Sequence, residues 1–344
     1  MRKFETGILK AAMLAAILAA SAQGASAQTV IKFAHVDPPD WTISKKGAAS
    51  QVFKDIVEAE SGGKITVELY PAGQLGGEKD LIAQAQAGAI QMTMVSGVFG
   101  SFCKEASILD TPYLFSSAAV AWKVVDGPFG EKLAKKCLAE TKLRTLAFGE
   151  TGFRNFTNNT REIKSPADVQ GLKLRVQEIP LYVEMVKGLG GVPTPIAFPE
   201  LPGALKTGVV DGQENPVSVI LSNKFYEIQK YLTLDQHVYG TDFILVNESF
   251  FEGLSASDRA LLQRAAIVAG NVGRAIQQFN SAAGVAELQK KGMAVYKPTE
   301  EELKKFKDAA QPPVVSYLKT QVDAAWLDEL QAAVADAERA VTAN

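Results

Sequence analysis

Residues 171–176 read Gly-Leu-Lys-Leu-Arg-Val, and residues 211–216 read Asp-Gly-Gln-Glu-Asn-Pro. The apolar residues of the first segment alternate with polar ones, which predicts a short strand. Between the two segments the sequence predicts a helix over 179–188, a proline-rich turn over 190–195 and a short helix over 199–208. Residues 209–215 predict a second strand that ends in a turn. This stretch therefore changes between strand and helix several times.

Arg175 lies on the polar side of the first of these strands. Leu172 and Leu174 face the opposite side, because successive side chains of a strand point in opposite directions. Arginine presents a planar fork of donors that fits a carboxylate, and each charged hydrogen bond contributes about 1.5–3 kcal/mol where water is excluded. The pattern predicts a site for an organic acid. A surface or interdomain salt bridge is the alternative interpretation of a single arginine.

Strands and helices also alternate nearer the start of the chain. The sequence predicts strands over 30–36, 64–70 and 90–96, with helices over 44–60 and 78–87 between them. This order is typical of a parallel sheet wrapped by helices. Ligands bind beyond the carboxyl ends of such strands, so the loops after the first and third strands are predicted to line a cleft.

His35, Trp41 and Ser96 are the candidate ligand-binding residues in these two loops. Each also has a structural interpretation. A histidine at a strand end is often a hydrogen-bonded structural residue, and a tryptophan in a loop can simply cover the end of the sheet.

Four motifs follow one another along the chain: Gly152-Phe-Arg-Asn-Phe-Thr-Asn158, Leu172-Lys-Leu-Arg-Val176, Pro195-Ile-Ala-Phe-Pro-Glu200 and Gly212-Gln-Glu-Asn-Pro216. Together they resemble the solute-binding proteins of tripartite ATP-independent periplasmic (TRAP) transporters, of the type that binds C4-dicarboxylates or sialic acid. The resemblance covers essentially the whole chain after residue 27. It implies an α/β, two-domain periplasmic binding protein fold of the Venus-flytrap type, with a mostly parallel, helix-wrapped sheet in each domain.

The resemblance also assigns roles to residues within these motifs. It implies that Arg154 is a second cleft arginine beside Arg175, that Asn215 contacts the bound acid and that Phe198 lies over the ligand. An exposed strand charge at Arg154 and a core position for Phe198 are the structural alternatives. Neither is excluded by the sequence.

A long strand predicted over 235–247 is implied by the resemblance to return the chain to the first domain and to form part of a hinge. His237 and Tyr239 in this strand are further ligand-binding candidates. A long helix that begins after Ser255 is expected to brace both domains, and two amphipathic helices are predicted around Pro312 and Pro313. The predicted domains are residues 28–150 with 241–280, and residues 151–240 with 281–344.

The N-terminal segment has the features of a secretory signal peptide. Arg2 and Lys3 precede an apolar run over 11–20, and small residues lead to a predicted cleavage site near Ala27. The run is too short for a permanent membrane span. The sequence therefore predicts a periplasmic protein.

Charge and cysteine content exclude several other classes. Removing residues 1–27 changes the balance of 36 basic and 38 acidic residues to 33 and 37. Nucleic acid is not expected as a partner, because no basic stripe is present. Two histidines and two cysteines make a zinc or haem site implausible, and no cofactor is expected. Cys103 and Cys137 are candidates for a disulfide bond in an oxidising compartment, although spacing alone leaves the pairing open.

Binding explains the sequence better than catalysis does. The sequence contains no nucleophile elbow, metalloprotease motif or phosphate-binding loop, although paired carboxylates of a hydrolase are not excluded by inspection. The binding component of an ATP-driven importer is the other alternative, but its members lack this run of motifs. We expect a monomeric receptor, not an enzyme, that delivers a small organic acid to TRAP-type permease subunits.

Overall fold

The computed structural model describes residues 28–343. The predicted signal peptide and cleavage site at residues 1–27 lie outside this described range. Within it, no helix combines the length and the hydrophobicity that crossing a membrane requires.

One nine-stranded sheet runs through the described residues. Its strands are β1 (Thr29–Ala34), β2 (Ile65–Tyr70), β3 (Met92–Val95), β4 (Leu143–Asn158), β5 (Lys173–Val176), β6 (Val192–Pro195), β7 (Gly212–Asn215), β8 (Tyr231–Asn247) and β9 (Ala294–Tyr296). The spatial order is β2-β1-β3-β8-β4-β7-β5-β6, and β9 pairs with β8. Strands β1, β2 and β3 form one parallel group, and β5, β6 and β7 form another.

Helices cover both parallel groups, which confirms the predicted α/β class. They are α1 (Lys45–Glu60), α2 (Glu78–Gln86), α3 (Ala118–Val125), α4 (Pro128–Thr141), α5 (Pro180–Gly188), α6 (Leu201–Lys206), α7 (Val217–Ser222), α8 (Glu248–Gly253), α9 (Ala256–Lys290), α10 (Glu300–Gln321) and α11 (Ala324–Thr342). The predicted long helix is α9. It packs against α1, which follows β1 of the first group, against α7, which follows β7 of the second, and against β9.

Strands β4 and β8 join the two parallel groups. They pair antiparallel from Leu143 opposite Asn247 to Asn158 opposite Tyr231, with register shifts on either side of Gly152. Gly152 has a φ of +97°, and a Cβ atom there would collide with the Gln277 side chain of α9. Glycine is therefore required where the crossing strand bends against the long helix.

The predicted helix boundary at Pro312 and Pro313 is wrong. Both prolines lie inside α10, and the chain turns at Val322 and Asp323 instead. Gly188 at the end of α5 packs directly on this segment, since a Cβ atom on it would lie 2.6 Å from Pro313 Cγ. Tertiary packing of α5 on α10 thus outweighs the local cost of the two missing N–H groups.

The C-terminal helices contact both halves of the sheet. Helix α10 packs against α5, whereas α11 packs against α3 and α4. The division of the chain into two domains at the boundaries given above stays a prediction.

Cys103 and Cys137 form a disulfide bond. It connects the start of the 3-10 helix over 104–110 to α4, and both residues are buried. The bond links segments that are 34 residues apart in sequence. It therefore restricts the unfolded chain over a substantial loop.

We predict that replacing Cys103 and Cys137 together by alanine lowers the free energy of unfolding by about 3–4 kcal/mol, because a loop of this length gains its full entropy in the unfolded state. Urea denaturation of the purified protein measures the effect. Wild-type protein unfolded in the presence of dithiothreitol is the control, and it should match the double variant. A variant as stable as the oxidised wild type would contradict the prediction.

Candidate functional site

A small cavity lies between the two parallel groups of strands. Asp37, Lys45, Lys46, Glu78 and Ser96 line it from the first group, and Arg154, Arg175, Gln177, Phe198 and Asn215 line it from the second. Its volume of about 30 Å³ is room for about two water molecules. Typical ligand sites measure about 300–1,000 Å³, so the two walls lie close together.

Arg175 on β5 contributes a buried cation to this cavity, and it forms no salt bridge with a carboxylate of the described residues. Its side chain is only 2% exposed, and its Nε donates a hydrogen bond of 2.9 Å to the Ile196 carbonyl oxygen. Its Nη1 has no hydrogen-bond partner among residues 28–343. Burial lowers the pKa of Arg175 to about 10, so the group is still charged at neutral pH. An unpaired buried charge is costly, and an anion beside Nη1 would offset that cost.

Arg154, in contrast, is paired within the protein. It donates to the Glu214 carboxylate through Nε and Nη2, to the Glu214 carbonyl oxygen at 2.6 Å and to Asn215 Oδ1 at 3.1 Å. The fork of Arg154 is therefore held in place by the motif Gly-Gln-Glu-Asn-Pro on the neighbouring strand β7. Its charge is already neutralised by a carboxylate of the chain itself.

His237 extends this buried network, because it contacts the same Glu214 oxygen as Arg154 Nε. Its Nε2 lies 3.2 Å from Glu214 Oε2, and its Nδ1 lies 2.9 Å from Asp235 Oδ2. Burial opposes a charge on this ring, but Asp235 and Glu214 raise the pKa of His237 to about 9. Glu214 is thus shared between two buried cations.

The wall opposite Arg175 contains two buried lysines and three carboxylates. Lys45 Nζ lies 2.7 Å from Asp37 Oδ2 and 3.5 Å from Asp242 Oδ2. Lys46 Nζ lies 2.6 Å from Glu78 Oε1 and 3.6 Å from Asp242 Oδ1. Burial alone would raise the pKa of Asp37, but the two lysines lower it to about 2. The lysines and carboxylates of this wall are therefore paired with one another.

The structure brings five of the predicted residues to the cavity and leaves four away from it. Arg175, Arg154, Asn215, Phe198 and Ser96 line it. The Phe198 ring lies 5.7 Å from Arg175 Cζ, and Ser96 Oγ donates to Glu78 Oε1 at 2.9 Å.

His35, Trp41, His237 and Tyr239 do not line the cavity. His35 is buried behind the first wall, 3.1 Å from Ser50 Oγ, and burial lowers its pKa to about 4. Trp41 is 61% exposed. Tyr239 packs its ring against Phe115 and Phe153 in the core. A role in ligand binding stays a prediction for these four residues.

Sequence reasoning missed the charged wall of Asp37, Lys45, Lys46 and Glu78. One signal was present in the sequence. Lys45 and Lys46 occupy the first turn of α1, where the helix dipole disfavours cations. A residue that breaks a local rule is often required by a functional site, and here carboxylates from other elements compensate for the unfavourable position.

Comparisons with known proteins identify the family and several relatives of this chain. The family described as "Bacterial extracellular solute-binding protein, family 7" matches residues 33–320. The C4-dicarboxylate-binding periplasmic protein DctP of Rhodobacter capsulatus is 38% identical over 250 residues, which are 72% of this chain and 74% of the relative.

Two solved structures are also similar to this chain. The sugar acid binding protein DctPAm of Advenella mimigardefordensis, in complex with galactonate, has a TM-score of 0.85 and 34% identity, covering 90% of this chain and 98% of its own. A TRAP periplasmic solute binding protein from Polaromonas, bound to D-erythronate, has a TM-score of 0.83 and 35% identity, covering 88% of this chain and 98% of its own.

We predict that Glu214→Ala lowers the free energy of unfolding by about 3–5 kcal/mol, because it leaves the cations of Arg154 and His237 buried without their shared carboxylate. Glu329→Ala is the matched control. It breaks the exposed pair with Lys132 and should cost less than about 1 kcal/mol. Urea denaturation at pH 7 compares the two variants, and similar small losses would show that the buried network contributes little.

Proposed function

Since this chain belongs to family 7 of the bacterial extracellular solute-binding proteins, the receptors of TRAP transporters, we propose that it binds a small organic acid at Arg175 and delivers it to a membrane permease. Relatives in the family bind small acids such as galactonate and D-erythronate. The observation that carries the assignment of the site is the buried guanidinium of Arg175 with its unpartnered Nη1.

Binding of a carboxylate at Arg175 would supply what this cation lacks. The acid accepts hydrogen bonds from the guanidinium, and the ion pair is strengthened because the cavity is shielded from water. A micromolar dissociation constant corresponds to about −8 kcal/mol, which one bidentate pair and several neutral hydrogen bonds supply after ordering costs. Asn215 and the Phe198 ring, which also line the cavity, complete this side of the site.

Entry of the ligand requires the two walls to move apart. The cavity volume of about 30 Å³ is too small for a metabolite acid. Strands β4 and β8 are the segments that connect the two halves of the sheet, and their register shifts near Gly152 and Arg154 mark where bending is easiest. We therefore assign the hinge to these crossing strands, and closure to the approach of the Lys46 and Arg175 walls.

The remaining assignments follow from the family. Cleavage near Ala27 would release a monomeric receptor into the periplasm, where its closed form meets TRAP-type permease subunits. The receptor role requires no cofactor and no catalysis. An importer driven by ATP and a carboxylate-dependent hydrolase are not favoured, because the relatives are TRAP solute-binding proteins.

We predict that Arg175→Ala weakens acid binding about a hundredfold or more, because a bidentate charged pair is lost. The ligand-free variant should be at least as stable as the wild type, since the substitution removes an unpaired buried charge. A thermal-shift screen with an organic-acid library identifies a ligand, and calorimetry then measures its affinity for the variant. Ligand at a hundred times its dissociation constant stabilises the wild type by about 2.7 kcal/mol.

Arg259→Ala is the matched control for this experiment. Arg259 near the start of α9 pairs with Glu252 of α8 and does not line the cavity, so its removal should leave acid binding unchanged. An Arg175→Ala variant that binds the acid as tightly as the control would refute the assignment of the site.

A further inference from the structure

We propose that the cavity selects monocarboxylic acids that carry several hydroxyl groups over dicarboxylic acids of the same length, and that the Glu78 and Lys46 wall makes this selection. The inference rests on the proposed function, because it assumes that the first carboxylate of the ligand binds Arg175. It concerns the other end of the ligand.

The wall that faces Arg175 presents two lysines and two carboxylates to the cavity, and the Asp242 carboxylate behind it makes three carboxylates around the two lysines. Lys45 and Lys46 are surrounded by the carboxylates of Asp37, Glu78 and Asp242, and all five side chains are less than a tenth exposed. Asp242 adds to this imbalance from behind the wall, where its Oδ1 accepts a hydrogen bond of 2.6 Å from Thr151. The lysines are therefore already neutralised before a ligand arrives.

The free hydrogen-bonding groups of the cavity suit hydroxyl groups. The three hydrogen bonds of the Glu78 side chain, from Lys46 Nζ, the Ser96 N–H and Ser96 Oγ, all end on Oε1. Its Oε2 is therefore available as an acceptor among the described residues. The buried Gln177 amide, which forms no side-chain hydrogen bond within residues 28–343, provides both a donor and an acceptor. A hydroxyl group can satisfy either kind of partner.

A second carboxylate would meet the wrong partners at this wall. It offers only acceptors, so it could use the lysines but not Glu78 Oε2. To reach Lys46 it would have to lie beside the Glu78 carboxylate, and to reach Lys45 it would have to lie beside Asp37. Two carboxylates in contact repel each other strongly where water is excluded. A terminal alcohol avoids this repulsion and donates to Glu78.

The test uses two pairs of acids that differ only at the far end. D-erythronate and meso-tartrate form the four-carbon pair, and D-gluconate and D-glucarate form the six-carbon pair; in each, the terminal alcohol is replaced by a carboxylate. We expect the monocarboxylic acid of the better-fitting pair to bind about a hundredfold more tightly by calorimetry at pH 7.5. Butyrate, which has one carboxylate and no hydroxyl group, should bind more weakly than D-erythronate.

The outcomes separate this inference from the proposed function. If the dicarboxylic acid of a pair binds as tightly as its partner or more tightly, the inference fails although the protein is still an organic-acid receptor. If D-erythronate and butyrate bind equally, the role assigned to the hydroxyl groups is wrong. The loss of acid binding by about a hundredfold or more in Arg175→Ala tests the proposed function and does not depend on these ratios.

Glu78→Gln tests the residue assigned to the selection. Removing this carboxylate should reduce the preference for the monocarboxylic acid about tenfold, because Lys46 then loses its nearest carboxylate and a second carboxylate of the ligand no longer meets Glu78. Glu329→Gln makes the same substitution at an exposed position of α11 and should keep the wild-type ratio. An unchanged ratio in Glu78→Gln, with a melting temperature near that of the wild type, would overturn the assignment. The wild-type ratio itself tests the selection even if this variant does not fold.

Discussion

A buried guanidinium without a carboxylate partner is the physical constraint on which the rest of this structure depends. Arg175 lies on a short parallel strand, with one nitrogen bonded to the Ile196 carbonyl oxygen and another left unpaired beside the cavity. A charge in this position is unfavourable in the free protein, because burial removes its hydration without replacing it. The protein tolerates that cost, and the binding of an anion that we propose would recover it. On this proposal, the affinity for an acid originates in the unfavourable charge of the empty site.

The arrangement of the sheet fits the opening and closing that we propose for this site. Two parallel groups of strands carry the opposing walls, and β4, β8 and helix α9 extend across both groups. Long antiparallel strands with register shifts bend more easily than the packed groups on either side. Gly152 allows the bend to pack directly against α9. The strands that join the two halves of the sheet are therefore also those to which we assign the hinge.

Arg154 and Arg175 line the same wall of the cavity but differ in their partners. Arg154 is satisfied by Glu214 and shares that carboxylate with His237, so its position is fixed by the protein itself. Arg175 has no such partner within residues 28–343, although its strand β5 pairs with β7, the strand that carries Glu214. The opposing wall follows the first pattern, since Lys45 and Lys46 are paired with carboxylates. Pairing with carboxylates fixes the positions of Arg154, Lys45 and Lys46. We assign the binding energy for the acid to Arg175, whose charge is left unpaired within the described residues.

The amino-acid sequence by itself determined the α/β class, the parallel strands, the long helix α9, the family and the position of Arg175 on a polar strand face. These features are encoded in local periodicity and in motifs read along the chain, so they can be recognised without knowing which elements meet. Tertiary structure alone decided that Cys103 pairs with Cys137, that α10 continues through Pro312 and Pro313, and that His35, Trp41, His237 and Tyr239 lie away from the cavity. It also decided that Glu78 and Lys46 face Arg175. These outcomes depend on contacts between residues distant in sequence, where packing and charge pairing outweigh local preference.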